Sequence, residues 1–194
     1  GDTYLEDIPA PQCPAGCLLI QTRASLISAG TERMLVEFGH SSLLGKARSQ
    51  PDKVKQVLDK IRADGVLATM DTVFKRLDEP LPLGYCNAGV VVAVGKGITD
   101  YAVGDRVISN GPHAEIVAVP KNLCAPIPAD VTDEQAAFTV LASIALQGVR
   151  LLEPGLGETM MVYGLGLIGQ IALQLLRANG CRAMGIDISQ DRVA

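Results

Sequence analysis

With 194 residues, 48% hydrophobic side chains and a mean hydropathy of +0.26, the chain can bury a substantial core, which excludes a disordered or low-complexity protein. A formal net charge of −4 and an isoelectric point near 5.2, with no pooling of Lys and Arg, exclude the basic surface that a nucleic-acid backbone demands. The most apolar stretch, Met160 to Leu176, is broken by Gly164, Gly166, Gly169, Gln170 and Gln174, and falls short of the roughly 20 apolar residues that span a bilayer.

The N-terminus, Gly1-Asp2-Thr3-Tyr4, lacks the basic start and apolar run of a secretory signal, so a cytoplasmic protein is expected by default. Five cysteines, Cys13, Cys17, Cys86, Cys124 and Cys181, are odd in number and scattered. Cys13 and Cys17 could form half of a metal clamp, but no second pair completes it, so small buried hydrophobes or exposed thiols are expected.

In chain order, a Pro-rich lead-in at Pro9, Pro11 and Pro14 gives way to a strand from Leu18 to about Ile27. From about Ser41 to Glu79 the composition shifts, with frequent Lys and Arg. There Ser49-Gln50-Pro51-Asp52 predicts a helix start, Val54, Val57, Leu58 and Ile61 fall at helical spacing up to Gly65, and a second helix follows over about Val66 to Leu77. This helical insertion reads as a hairpin that shields the neighbouring sheet or makes a subunit contact; the alternative is a lid over a substrate cleft. Strand signals resume at Gly89–Val94, Asp105–Ile108 and Ala114–Val119, with Gly, Asp and Pro turns between them, which is the rhythm of a compact β-barrel-like domain. After Pro128, Thr132-Asp133-Glu134-Gln135 predicts a capped, apolar helix running to about Leu152, broken by Pro154-Gly155. A domain boundary near residue 128 follows, giving 1–128 and 129–194.

The most informative segment comes last. Thr159-Met160-Met161-Val162-Tyr163 reads as a strand that runs directly into Gly164-Leu165-Gly166-Leu167-Ile168-Gly169, and then into a helix stopped at Asn179-Gly180. A second strand, Cys181 to Asp187, ends in that acid, with Ile188 next. Gly164 permits the tight turn, Gly166 lets backbone amides approach a pyrophosphate, and Gly169 lets the helix pack on the strand. The phosphate charge would then sit at the positive end of the helix. Asp187 stands 23 positions after Gly164, where its carboxylate can accept hydrogen bonds from the adenosine ribose. Residues 164–169 with Asp187 and Ile188 are therefore the candidate cofactor site, with NAD favoured over NADP and Arg192 as a feature that softens the preference.

Several segments together resemble the medium-chain dehydrogenase/reductase superfamily. They are Val94-Gly95-Lys96-Gly97-Ile98 with Val103-Gly104-Asp105-Arg106-Val107, Gly157-Glu158-Thr159 before the glycine turn, and Pro112-His113-Ala114-Glu115. The wording of Ser28-Ala29-Gly30-Thr31-Glu32-Arg33 and Pro82-Leu83-Gly84-Tyr85-Cys86-Asn87-Ala88-Gly89 is similar to the front half of bacterial bi-domain oxidoreductases. The resemblance implies an α/β plus β architecture: a GroES-like β-barrel domain over 1–128, with the helical insertion at about 41–79, followed by the first part of a Rossmann NAD(P)-binding fold over 129–194. It implies a small-molecule substrate, no nucleic acid and no membrane, and it leaves open a homo-oligomer and a fused second dehydrogenase domain after residue 194.

Zinc members of that superfamily bind the metal through a Cys, a His in Gly-His-Glu, and a later Cys or acid. The matching positions here are Ala29, Tyr85 and about Val140, and Ser109-Asn110-Gly111-Pro112 passes straight to the next strand where a four-cysteine loop would stand. Alanine and valine carry no donor, so no zinc is expected. His40 and His113 sit in no ligand motif and read as ordinary histidines, and Cys86 replaces the motif glutamate without a role. The resemblance then places Thr31 and Tyr85 at the reacting centre, as hydroxyls able to donate to a substrate oxygen and relay a proton. The expected activity is zinc-independent, NAD(P)-dependent hydride transfer to or from a carbonyl, alcohol or activated alkene, with the 194 residues alone inactive. Two rivals are a non-catalytic dinucleotide-binding or assembly module of a larger protein, and a zinc alcohol dehydrogenase with displaced ligands.

Overall fold

A computed structural model describes residues 3–40 and 81–193. The two helices expected within 41–79 lie outside the described residues. The chain divides into two compact units, one of residues Gly1–Asp7 and Thr31–Pro82, the other of Ile8–Gly30 and Leu83–Ala194.

In the first unit the described structure is mainly the helix α1, Ala29–His40, which begins at the end of the second unit and carries an exposed i,i+4 ion pair between Arg33 and Glu37 at 2.8 Å. The sequence pattern had marked Ser28 to Arg33 only as a motif, without a helix.

The second unit begins with five antiparallel strands: β1 (Cys17–Ser25), β2 (Asn87–Val94), β3 (Arg106–Ser109), β4 (Ile116–Pro120) and β5 (Cys124–Pro126), in the order β4-β1-β2-β3-β5. Alternation puts Leu18 and Ile20 of β1, Val91 of β2, Val107 of β3, and Val117 and Val119 of β4 into one apolar cluster. Register shifts between β1 and β2 at Leu19/Ile20 and at Thr22/Ala24 mark bulges, which increase the local twist of the sheet. Gly95 has no alternative in this packing, since a Cβ there would run into the Pro14 carbonyl.

Beyond the sheet, Thr132 caps α2 (Asp133–Ala136) with both halves of a capping box: its hydroxyl accepts from the Gln135 N–H, and the Gln135 side chain accepts from the Thr132 N–H. The expected single helix to Leu152 is in fact two. Ala136 and Ala137 pack with Ala88 of the sheet, and a separate α3, Thr139–Leu152, follows Phe138. No Gly or Pro stands at this break, so tertiary packing decides it. Arg106 ties the sheet to this segment, donating to the Val131 carbonyl at 2.7 Å and to Asp133 Oδ1 through both Nε and Nη2.

The last element is a βαβ unit: β6 (Thr159–Tyr163), α4 (Leu167–Ala178) and β7 (Arg182–Ile186), with β6 and β7 parallel and in register from Thr159 opposite Arg182 to Tyr163 opposite Ile186. Val149 of α3, Leu176 of α4 and Cys181 form its core, with Met160, Val162 and Ala183 against them. The other face of the two strands, Met161, Tyr163, Met184 and Ile186, is exposed. An antiparallel sheet followed by a parallel βαβ unit is the order the sequence implied. No helix among the described residues is long and apolar enough to cross a membrane.

Candidate functional site

The turn between β6 and α4 is built by glycines with distinct duties. Gly164 takes φ +97, a conformation L residues with side chains rarely adopt, and its N–H donates to the Ile186 carbonyl at 2.7 Å, extending the parallel ladder by one bond. A Cβ on Gly169 would overlap the Gly164 carbonyl oxygen, so the first turn of α4 lies directly on the glycine turn. Around Gly166 the reverse holds, because a Cβ there would meet no atom within 4 Å. Gly166 is also the N-cap of α4 and provides no side-chain cap, while Gln170 N–H makes an early intrahelical bond to its carbonyl at 2.9 Å. The amides preceding Gln170 lack intrahelical acceptors and carry the positive end of the helix dipole into open space, which fits a pyrophosphate.

Asp187, at the end of β7, has a side chain only 3% exposed. Its Oδ1 accepts from the Ser189 N–H at 2.8 Å and its Oδ2 from the Leu165 N–H at 2.6 Å, with Arg192 Nη1 3.6 Å from Oδ2. The Ser189 and Leu165 amides, in that order, hold the carboxyl below its ordinary range, and the Arg192 charge adds to the effect. The acid placed by spacing at the ribose position thus also latches the glycine turn. Leu165, counted by sequence among the cradle residues, gives its amide to this latch, and its buried side chain packs into the space left by Gly185, whose Cβ would lie 2.5 Å from Leu165 Cδ2. Beside the latch opens a cleft of about 260 Å³ lined by Tyr163, Gly164, Asp187, Ile188 and Arg192. Ile188 is 92% exposed there.

On the antiparallel sheet, Tyr85 precedes β2, and its hydroxyl donates to Ser28 Oγ at 2.8 Å. Below it a buried polar chain runs inward. Asn87 Nδ2 donates to Thr22 Oγ1 at 2.7 Å, Ser109 Oγ donates to Asn87 Oδ1 at 3.4 Å, and Ser109 Oγ accepts from the Gly111 N–H at 3.2 Å. Thr31 lies in the first turn of α1, in the other compact unit from Tyr85. Ala29 begins α1 and Val140 lies in α3. Among the described residues no three His, Cys, Asp or Glu side chains converge on a point that could hold a metal. None of the cysteines Cys13, Cys17, Cys86, Cys124 and Cys181 is in a disulfide; Cys86 and Cys181 are buried and the other three half-buried.

Sequence reasoning did not find Ser28, Tyr163, Gly185 or the Ser189 amide. Tyr163 was within reach, since ligand sites of open α/β sheets lie at the carboxyl ends of strands. The Ser28–Tyr85 bond joins residues 57 apart in the chain and has no local signal.

Residues 54–129 match the alcohol dehydrogenase GroES-like domain. The chain is 38% identical to D-guloside 3-dehydrogenase of Escherichia coli K12 over 109 residues, which cover 54% of this chain and 31% of that protein. It is 30% identical to a probable quinone oxidoreductase of Leishmania amazonensis over 138 residues, 68% of this chain and 40% of that one. Among solved structures, a mycobacterial protein complexed with NADPH matches with a TM-score of 0.62 at 25% identity, over 96% of this chain and 49% of its own. The chain therefore spans less than half the length of each of these three proteins.

Proposed function

Because the chain belongs to the alcohol-dehydrogenase-like medium-chain dehydrogenase/reductase superfamily, we propose that it serves an NAD(P)-dependent oxidoreductase that moves hydride to or from a carbonyl, alcohol or activated alkene without a catalytic zinc. The observation that carries this reading is the open, uncapped N-terminus of α4 at Gly166, bordered by a cleft that ends in Asp187. We place the division of labour near residue 128, with 1–128 as the GroES-like part and 129–194 as the dinucleotide-binding part.

A bound nicotinamide dinucleotide would supply or accept the hydride. The chain's part is to hold it. Main-chain amides at 166–168 face the pyrophosphate, Asp187 lines the cleft where the ribose would lie, and Ile188 offers an apolar edge to the base. The Asp187 charge disfavours a 2′-phosphate, which supports NAD(H), while Arg192 on the cleft rim is the group that would admit NADP(H). At the reacting end, Tyr85 can turn its hydroxyl from Ser28 to a substrate oxygen and stabilise the charge that develops there; Thr31, which the resemblance also names, is a separate candidate hydroxyl on the other unit. The residue types support zinc independence, since Ala29 and Val140 offer no donor atom.

Calorimetric titration with NADH and NADPH tests the reading. Gly166→Ala should leave the melting temperature within a few degrees yet weaken dinucleotide binding at least about tenfold, because its methyl occupies the anion's approach. Undiminished affinity in a folded Gly166→Ala chain would refute the cradle. NADPH binding more tightly than NADH would refute the Asp187 preference. In the full-length protein, turnover unaffected by both Thr31→Ala and Tyr85→Phe would favour a non-catalytic module, and one zinc per chain by elemental analysis would overturn zinc independence. The 194 residues alone are expected to show no turnover.

A further inference from the structure

His113 is held on three sides. Its backbone N–H donates to the Leu83 carbonyl at 2.8 Å, its Nδ1 pairs with the Ser25 hydroxyl at 2.9 Å, and its ring lies against Gly84, where a Cβ would stand 2.6 Å from both Cγ and Cδ2. Gly84 takes φ +92, so glycine alone both accepts this backbone and leaves room for the imidazole. The next residue is Tyr85, bonded to Ser28, and the Cys86 carbonyl accepts from the Leu26 N–H at 2.9 Å. Residues 25–28, 83–86 and 113 thus brace one another, and the imidazole is the side chain that joins the end of β1 to the glycine before Tyr85.

We propose that His113 is the positioning residue of the Tyr85 site: packed on Gly84 and bonded to Ser25, it fixes the turn that carries the phenol. Glycine at φ +92 has the widest backbone freedom of any residue, and nothing intrinsic to it holds Tyr85 at one angle. The ring adds a constraint at that glycine, beside the Tyr85–Ser28 and Leu26–Cys86 hydrogen bonds. This rests on the reading of Tyr85 as a donor to the substrate oxygen, and a phenol displaced by about 1 Å loses much of that benefit.

The test uses ring-labelled tyrosine NMR on the chain, whose four tyrosines give few signals. His113→Ala should shift the Tyr85 ring resonances and leave those of Tyr101 and Tyr163 in place. Ser25→Ala, which removes only the hydroxyl partner, should shift Tyr85 in the same direction by less, and His113→Asn should restore part of the native position. In the full-length protein, with NADH and 1,4-benzoquinone as the probe pair, His113→Ala should lower kcat about tenfold and leave KM within about twofold. An unmoved Tyr85 signal in a folded His113→Ala chain overturns the proposal, and should that variant fail to fold, an unmoved signal in Ser25→Ala does so. A shifted Tyr85 together with a fully active Tyr85→Phe upholds the positioning and sinks the catalytic reading; an unmoved Tyr85 with an inactive Tyr85→Phe does the opposite.

Discussion

Arg106 belongs to the Gly-Asp-Arg-Val run by which the sequence resembles its superfamily, and the structure gives that residue a mechanical duty. Its guanidinium joins β3 to the segment that enters α2 through Val131 and Asp133, with the two charged side chains about one-third and one-quarter exposed. Arg106→Ala should cost about 1–2 kcal/mol in urea unfolding, less than a fully buried pair would because solvent screens part of the charge. Asp187 makes a pH prediction. Its folded-state pKa is lowered, so its contribution to the fold is complete above the ordinary aspartate range and is lost as pH falls through the lower folded value. Thermal melts taken with falling pH should show an acid limb that Asp187→Asn lacks. Cys124 behaves in the contrary sense. Burial, and secondarily Cys17, push its thiol up to about 11, so at pH 8 it holds roughly a hundredfold less thiolate than an ordinary cysteine. Mass-spectrometric mapping after brief iodoacetamide treatment should find Cys124 unmodified.

Among the elements, legibility tracked how local the determining interaction is. The capping box at Thr132 and Gln135 is written in four consecutive residues, and Thr132→Ala should cost about 1 kcal/mol, read as a fall in melting temperature that Glu134→Ala does not reproduce. The strands β6 and β7 and the helix α4 were legible almost to the residue, because apolar runs and glycine stops bound them on both sides. The break between α2 and α3 was not, since Ala136 and Ala137 are good helix formers and their packing in the cluster with Ala88 carries no local signal. β5 escaped because it is three residues long and ends in Pro126; it exists through its pairing with β3. In the site, Gly164, Gly169 and Asp187 could be named from spacing, whereas His113 and Ser28 acquire meaning from partners far away in the chain.

At the scale of the molecule, the β6–β7 pair presents Met161, Tyr163, Met184 and Ile186 on one uncovered face, where a complete dinucleotide fold of about six strands has layers on both sides. An exposed apolar patch of this kind should bind anilinonaphthalene sulfonate, and Met161→Ser with Met184→Ser should reduce that fluorescence without altering the melt. No enhancement by the parent chain would mean the face is covered in solution. The double engagement of Asp187 reaches further than the affinity of one cofactor. A protein engineer who exchanges it for a neutral residue to welcome a phosphorylated dinucleotide would, with the same stroke, orphan the amides of Leu165 and Ser189. Retuning the cofactor here demands a paired substitution, one to admit the new phosphate and another to take over as acceptor for those two donors.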